Sequence, residues 1–303
     1  MFERKECGRR PHSFLSRYIL IIMKKVSDTE IKKFIQTVWK HYHKQGRHAL
    51  AWREHTDPYS IVVSEIMLQQ TQVARVETYF DTWINTFPDW KTLAGAKLSE
   101  VLKVWKGLGY NRRGKYLHDI SKIITNQYDG LFPQEQKNIL ALPGIGSYTA
   151  RAIQAFSFNE REVLVETNTR TAIIYHFFQN SNGVTDKEIE EMLRRCYIQR
   201  TKAYVNPQEW NWALFDYGSW LKKEVGNLNK KSTTYSKQSR FEGSDRQIRS
   251  GIVHLLSSNG PLPITTIYKK SGISDHKRID EQIIKLEKEQ MIIKKNNRWR
   301  IAD

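Results

Sequence analysis

Apolar residues recur at intervals of three and four along most of residues 28–225, the signature of helices that turn one face to a core. Ile31, Phe34, Ile35 and Val38 follow Ser27-Asp-Thr-Glu30, a helix start with early acids. Pro58 opens a second helix with Ile61, Val62, Ile66 and Met67 inside. The same spacing predicts helices over 73–87, 98–105, 113–127, 134–141, 147–158, 169–178, 186–199 and 207–222, separated by Gly and Pro. No stretch alternates cleanly enough to demand a large sheet, so the expected class is mainly α.

Residues 226–243 turn to Gly, Asn, Lys, Ser, Thr and Gln, a polar and basic linker. Helices follow over 245–257, 263–271 and 276–289, and Met291–Ile301 reads as two short strands about an Asn-Asn turn. Three helices and a hairpin make a winged-helix-like module over 244–303. Such modules bind DNA or protein, and topology alone does not choose. Residues 1–25 are basic, then briefly apolar at Tyr18–Ile22, too short to span a membrane and without a clear cleavage site. They are read as a disordered extension, or an artefact of the start site, ahead of a helical domain at 26–225.

Composition narrows the partners. The chain has 303 residues, 39% of them hydrophobic, enough for about two domains with a real core. Its net charge is +17, which suits a polyanion: nucleic acid or an anionic membrane. The two cysteines, Cys7 and Cys196, cannot by themselves complete a zinc site or an iron–sulfur cluster, which take about four protein ligands. They point to a reduced, intracellular protein; no metal site and no membrane partner is expected.

One turn carries a specific signal. Leu142-Pro-Gly-Ile-Gly146 lies between two predicted helices. Pro143 ends the first, and two glycines permit φ > 0 in a tight turn. The next helix starts near Ser147, so the N–H groups of Ser147 and Thr149 and the positive end of the dipole face whatever sits at the turn. Leu142, Gly144, Gly146, Ser147 and Thr149 are therefore candidates for gripping a nucleic-acid phosphate, and the turn carbonyls for holding a monovalent cation. The plain alternative is an ordinary helix–helix connection.

Two carboxylates stand in opposite surroundings. Glu65 has Ile61, Val62, Leu68 and Gln69 as its helical neighbours, a mostly apolar setting that favours the protonated acid. Glu166 ends the apolar run Val163-Leu-Val165 and precedes a helix at Thr167, where the dipole favours the ionised form. Asn168 is either an N-cap or a polar prop. Such a pair suits acid chemistry, with a proton donor and a stabiliser of positive charge. For either glutamate taken alone, an ordinary surface acid is the commoner case.

Together, Ala51-Trp-Arg53, Pro58-Tyr59, Ser64-Glu-Ile-Met-Leu-Gln-Gln-Thr-Gln-Val73, Gly107-Leu-Gly-Tyr110 and Leu142–Ala150 resemble the MutY-type adenine DNA glycosylases of the endonuclease III, or helix-hairpin-helix, superfamily. The resemblance runs from about 45 to 222. It implies two α-helical lobes with an active cleft between them, and base excision repair of mismatched or damaged double-stranded DNA by a monomer, cytoplasmic or on the nucleoid. It makes Glu65 the catalytic acid that protonates the base and positions water. Gln69 and Gln70 would probe the duplex, with Arg53 at the base pocket and Tyr110 beside them in base recognition. Tyr148 stands where bifunctional relatives carry a nucleophilic lysine, which implies a monofunctional hydrolase leaving an abasic site.

The chain also departs from that family. Glu166-Thr-Asn168 stands where an aspartate is usual, a longer reach by about one bond length. No cysteine follows Trp220-Leu-Lys-Lys-Glu-Val-Gly226, where a four-cysteine loop would begin, so no iron–sulfur cluster is expected. Trp212 replaces a Gln or Glu; it either stacks on a base or fills a core. The usual C-terminal domain that reads 8-oxoguanine is missing. The expected substrate is adenine opposite 8-oxoguanine or guanine, with thymine or uracil opposite guanine, or DNA binding without catalysis, as alternatives.

Overall fold

A computed structural model describes residues 26–199, 206–236 and 240–303. Residues 1–25, expected to be an extension, lie outside the described residues. The described residues divide into two compact units, one within 26–47 and 163–236, the other within 48–162 and 240–303.

The first unit begins with α1 (Asp28–Gln45). Ser27 caps it: its side chain accepts from Glu30 N, while the Glu30 carboxylate accepts from Ser27 N at 2.7 Å. The chain passes through the second unit as α2 (Pro58–Leu68), α3 (Val73–Thr86), α4 (Trp90–Gly95), α5 (Leu98–Val104), α6 (Arg112–Gln127), α7 (Gln136–Leu140) and α8 (Ser147–Phe158). It returns to the first unit as α9 (Thr167–Phe177), α10 (Asp186–Ile198) and α11 (Pro207–Val225). The core of this unit joins Ile31, Phe34 and Val38 of α1 to Ile173 of α9, Met192 of α10 and Trp210 and Leu214 of α11. Gly218 lets α11 approach the start of α9, since a Cβ there would lie 1.9 Å from the Asn168 carbonyl oxygen.

Residues 226–236 belong to the first unit. The buried Asn229 side-chain amide donates to Thr167 O at 3.1 Å and Thr171 Oγ1 at 3.0 Å, tying this segment to α9. Val184 and Ser232 form a parallel bridge beside it. The sequence from 222 to 236 holds no cysteine, so a cluster bound by four thiolates does not fit there. Cys196 does not supply one: it is buried inside α10, its thiol pushed up to about 12 by desolvation.

The second unit is built round α2. Asp57 caps it by accepting from Ser60 N, Pro58 occupies the first turn, and every residue from Tyr59 to Met67 is buried. A helix enclosed on all sides is a central one, not a surface amphipath. The C-terminal part of this unit holds α12 (Asp245–Asn259), α13 (Ile264–Ser271), α14 (His276–Lys288), β1 (Ile292–Lys295) and β2 (Arg298–Ile301). The strands pair antiparallel, Ile292 with Ile301 and Lys295 with Arg298, about the expected Asn296-Asn297 turn. This winged-helix-like part shares one apolar cluster with the helical core: Leu98 and Leu102 of α5 pack with Ile252, Leu256, Ile283 and Trp299. No helix among the described residues is long and apolar enough to cross a membrane.

Candidate active site

Glu65 sits on the last full turn of α2, 9% exposed, on a helix whose other residues there are almost all apolar. Burying a carboxyl group costs far less as the neutral acid than as the anion. The position therefore suits a proton donor.

Just beyond Glu65 the helix is stopped by force. Gln69 leaves helical geometry and Gln70 takes φ +56°, a left-handed conformation unusual for a residue with a Cβ. The strain is held by Arg113, a residue the sequence reading passed over. Its buried guanidinium donates to the carbonyls of Ile66, Met67 and Gln69 at 2.7–2.8 Å, to Thr71 Oγ1 at 3.0 Å, and to the carbonyls of Leu108 and Gly109 at 2.9 and 3.1 Å. It lies over the rings of Trp105 and Tyr110, 5.2 and 5.5 Å from their centroids. One cation thus satisfies the C-terminal carbonyls of the Glu65 helix and locks the Gln69-Gln70 turn to the Gly107–Tyr110 loop. In that loop Gly107 takes φ +102°, a conformation that residues with a Cβ rarely adopt.

The glutamine turn also reaches the hairpin. Gln69 Nε2 donates to Thr149 Oγ1 at 3.3 Å and, at 3.5 Å, points to the Gly144 carbonyl. The hairpin uses its two glycines differently. Only Gly144 uses a positive φ, +76°, with the Tyr116 ring where a Cβ would go; Gly146 is extended at φ −94° and serves as the N-cap of α8. Nothing lies within 4 Å of where a Gly146 side chain would be, so it is bare backbone open to approach. The Thr149 side chain is buried, 5% exposed, and braces Gln69, because the third helix position turns inward. Leu142 is likewise buried, anchoring the turn. Gly144, Gly146 and Ser147 are exposed, and no side chain caps α8, which leaves the helix start suited to an anion. Tyr148 is half-buried on that first turn.

Gln69, Gln70, Tyr110 and Tyr116 line a cavity of about 290 Å³ whose far side is Arg246, Arg249 and Glu289 of the C-terminal part. Arg246 lies over the Tyr110 ring, 5.1 Å from its centroid. Arg249 is paired with Glu289. Arg53, on a single 3₁₀ turn after the buried Trp52, is half-buried.

The first unit places the second carboxylate. Glu166, not Asn168, is the N-cap of α9: its Oε1 accepts from Asn168 N at 2.7 Å and Thr169 N at 2.9 Å. Asn168 falls within the first turn of the helix. The expectation that the helix start holds Glu166 ionised is overturned in direction. Burial raises its pKa, and outweighs the two N–H donors and the Arg170 and Arg47 guanidinia that lower it. Both arginines are already paired, Arg170 with Asp186 and Arg47 with the buried Asp216, each at 2.6 Å. Trp212 is half-buried against the core of this unit. Among the described residues no group of three or more His, Cys, Asp or Glu is arranged to hold a metal ion.

Comparison with known proteins gives these features a setting. Residues 63–204 match the family described as HhH-GPD superfamily base excision DNA repair protein. The chain is 37% identical over 186 residues to the adenine DNA glycosylase of Buchnera aphidicola subsp. Baizongia pistaciae, covering 61% of this chain and 52% of that one. It is 41% identical over 133 residues to the adenine DNA glycosylase of Mycolicibacterium smegmatis, covering 44% and 45%. The chain thus spans about half the length of the curated relatives it matches. In fold it is similar to endonuclease III in a trapped covalent complex with DNA, with TM-score 0.51 and 14% identity over 66% of this chain and 87% of that one.

Proposed function

We propose, from the match of residues 63–204 to the HhH-GPD superfamily of base excision DNA repair proteins, that the chain is a monofunctional DNA glycosylase that excises mispaired adenine. The observation that carries this reading is Glu65. It is a carboxyl group buried on a central helix, within four residues of the glutamine turn, and inside residues 63–204, which match the base excision DNA repair family.

In this reading the exposed Gly144, Gly146 and Ser147 backbone takes a phosphate of duplex DNA, aided by the net charge of +17. Extruding the base costs a few kcal/mol, least at a mispair. Glu65 then gives its proton to a ring nitrogen of the base, and the bond from base to sugar breaks with its electron pair leaving on the base. Water adds to the sugar carbon, and its proton returns to the Glu65 carboxylate. Glu166, once ionised, supplies negative charge for the sugar cation, and Arg53 and Tyr110 serve base recognition. Tyr148 offers no amine, so no Schiff base forms and the strand stays intact. The hairpin carbonyls remain the proposed place for a monovalent cation. The enzyme would act as a monomer on DNA inside the cell.

The experiment is single-turnover incubation with labelled duplexes carrying adenine opposite 8-oxoguanine, adenine opposite guanine, or thymine opposite guanine, followed by alkali. Alkali-labile sites at adenine are expected, with none from Glu65→Gln although that variant still binds. Absence of cleavage on every duplex would leave only a DNA-binding protein, and a nick without alkali would mean a lyase.

A further inference from the structure

The winged-helix-like part of the second unit distributes its charge unevenly. In many modules with this arrangement the third helix enters a DNA groove. Here the exposed residues of α14 include Lys277, Lys285 and Lys288, but also Asp280, Glu281 and Glu287, which cancel them, and Ile284 is 51% exposed on the same helix. The remaining cation of α14, Arg278, is paired with Asp245 at 2.7 Å, so the helix offers little net pull on a phosphate backbone.

The hairpin is different. Lys294, Lys295, Asn296, Asn297 and Arg298 form one unbroken exposed run at its tip, with Arg300 half-buried behind. No acid occurs from Gln290 to Ala302. The acid that follows, Asp303, is engaged elsewhere, accepting from Ser99 N at 2.7 Å and Ser99 Oγ at 2.9 Å.

These cations are not on a loose loop. Asn296 and Asn297 both take left-handed conformations, φ +49° and +60°, the tight hairpin turn that asparagine tolerates best. Ile292, Trp299 and Ile301 are buried beneath the strands. Leu262 and Trp299 exchange two backbone hydrogen bonds of 2.8 Å, which adds a third edge to the ladder. The Lys294 ammonium lies 5.8 Å from the centre of the Trp299 ring. The cluster below includes Leu98 and Leu102 of α5, so the hairpin is rigidly joined to the unit that carries Glu65.

We infer that the β1–β2 hairpin, and not α14, is a second DNA-contact surface, which holds the phosphate backbone of the duplex through Lys294, Lys295 and Arg298. Pre-fixed cations on a rigid hairpin pay little ordering entropy on binding. A hold at that point would set the register of the second unit along the duplex. The inference rests on the reading of the chain as acting on DNA.

The test measures binding of the full chain to an undamaged duplex of about 30 base pairs by fluorescence anisotropy across a salt series, which needs no cleavage. Two triple variants are compared, Lys294→Ala with Lys295→Ala and Arg298→Ala, and Lys277→Ala with Lys285→Ala and Lys288→Ala. Both remove the same charge. Three phosphate contacts contribute about 2.7 to the slope of log affinity against log salt, or roughly 40-fold between 50 and 200 mM. The hairpin variant should lose that much slope, and the α14 variant little, with urea midpoints unchanged in both. Equal loss in the two would mean that only net charge matters, and an unchanged slope in the hairpin variant would remove the contact; either overturns the inference. Salt-dependent binding without base excision would count against the proposed activity alone.

Discussion

Replacing Arg113 by lysine tests how the Glu65 helix is held. The guanidinium serves six acceptors, and three of its bonds, to the carbonyls of Ile66, Met67 and Leu108, are fully buried. An ammonium keeps the charge but has only three donors on one atom, so it can serve the end of α2 or the glycine loop, not both. At least one dry carbonyl is then left without a partner, at about 1–3 kcal/mol each. Burial pulls the Arg113 pKa down to about 10. At about 1.4 kcal/mol for each pH unit, keeping that charge buried costs about 3 kcal/mol. Arg113→Met removes this cost but leaves all three buried carbonyls unpaired, at about 6 kcal/mol together, for a net loss of about 3. Arg113→Lys retains the cost and loses part of the bonding, so its loss should be about 2–4 kcal/mol. Conserving charge therefore should not rescue the protein. Urea unfolding at constant slope measures both variants, and single-turnover cleavage shows whether the glutamine turn has moved. A lysine variant within about 0.5 kcal/mol of the parent, the range of an ordinary surface change, would show that charge, and not the planar fork, does the holding.

Two further outcomes follow from the first unit. Glu166→Gln keeps an oxygen for the N–H groups of Asn168 and Thr169 while removing a buried charge; because the folded pKa of Glu166 is raised, its contribution to stability is present at low pH and lost as pH rises through that pKa. The variant should then match the parent in acid and gain on it toward pH 8 in thermal melts, yet lose cleavage; a variant less stable than the parent at pH 8 would contradict the direction. Gly218→Ala places a methyl 1.9 Å from the Asn168 carbonyl oxygen, and should cost about 1–3 kcal/mol as the backbone gives way; a melting temperature unchanged by that methyl would show that the two helices have room to spare.

Much of the candidate site could be read from the chain because its signals are local. The proline at 58 and the apolar run behind it define the helix of Glu65, and Leu142–Gly146 announces its hairpin. What stayed hidden depends on partners distant in sequence. Arg112 and Arg113 are the same on paper, yet one is exposed and the other buried, because only Arg113 faces the carbonyl ends of α2, more than forty positions earlier. Asn229 lies in a run of polar residues that reads as a linker, and only Thr167 and Thr171 give its amide a buried place. The short α4 was missed because Trp90 and Leu93 are its only buried residues, too few to establish a period. Glu166 misled for a different reason: position predicts the helix dipole, whereas desolvation, the larger effect, is decided by tertiary enclosure.

The joint apolar cluster of α5 and the C-terminal helices limits how this chain can change over evolution. Leu98 and Leu102 share an apolar cluster whose other members all lie in the C-terminal part, in α12, α13, α14 and the terminal strands with Met291 before them. A foreign cassette spliced after residue 240 would leave two leucines facing water unless it brought a matching greasy face. Drift in α5 and drift in the tail are thereby yoked, and sequence histories of the two segments should show substitutions in tandem.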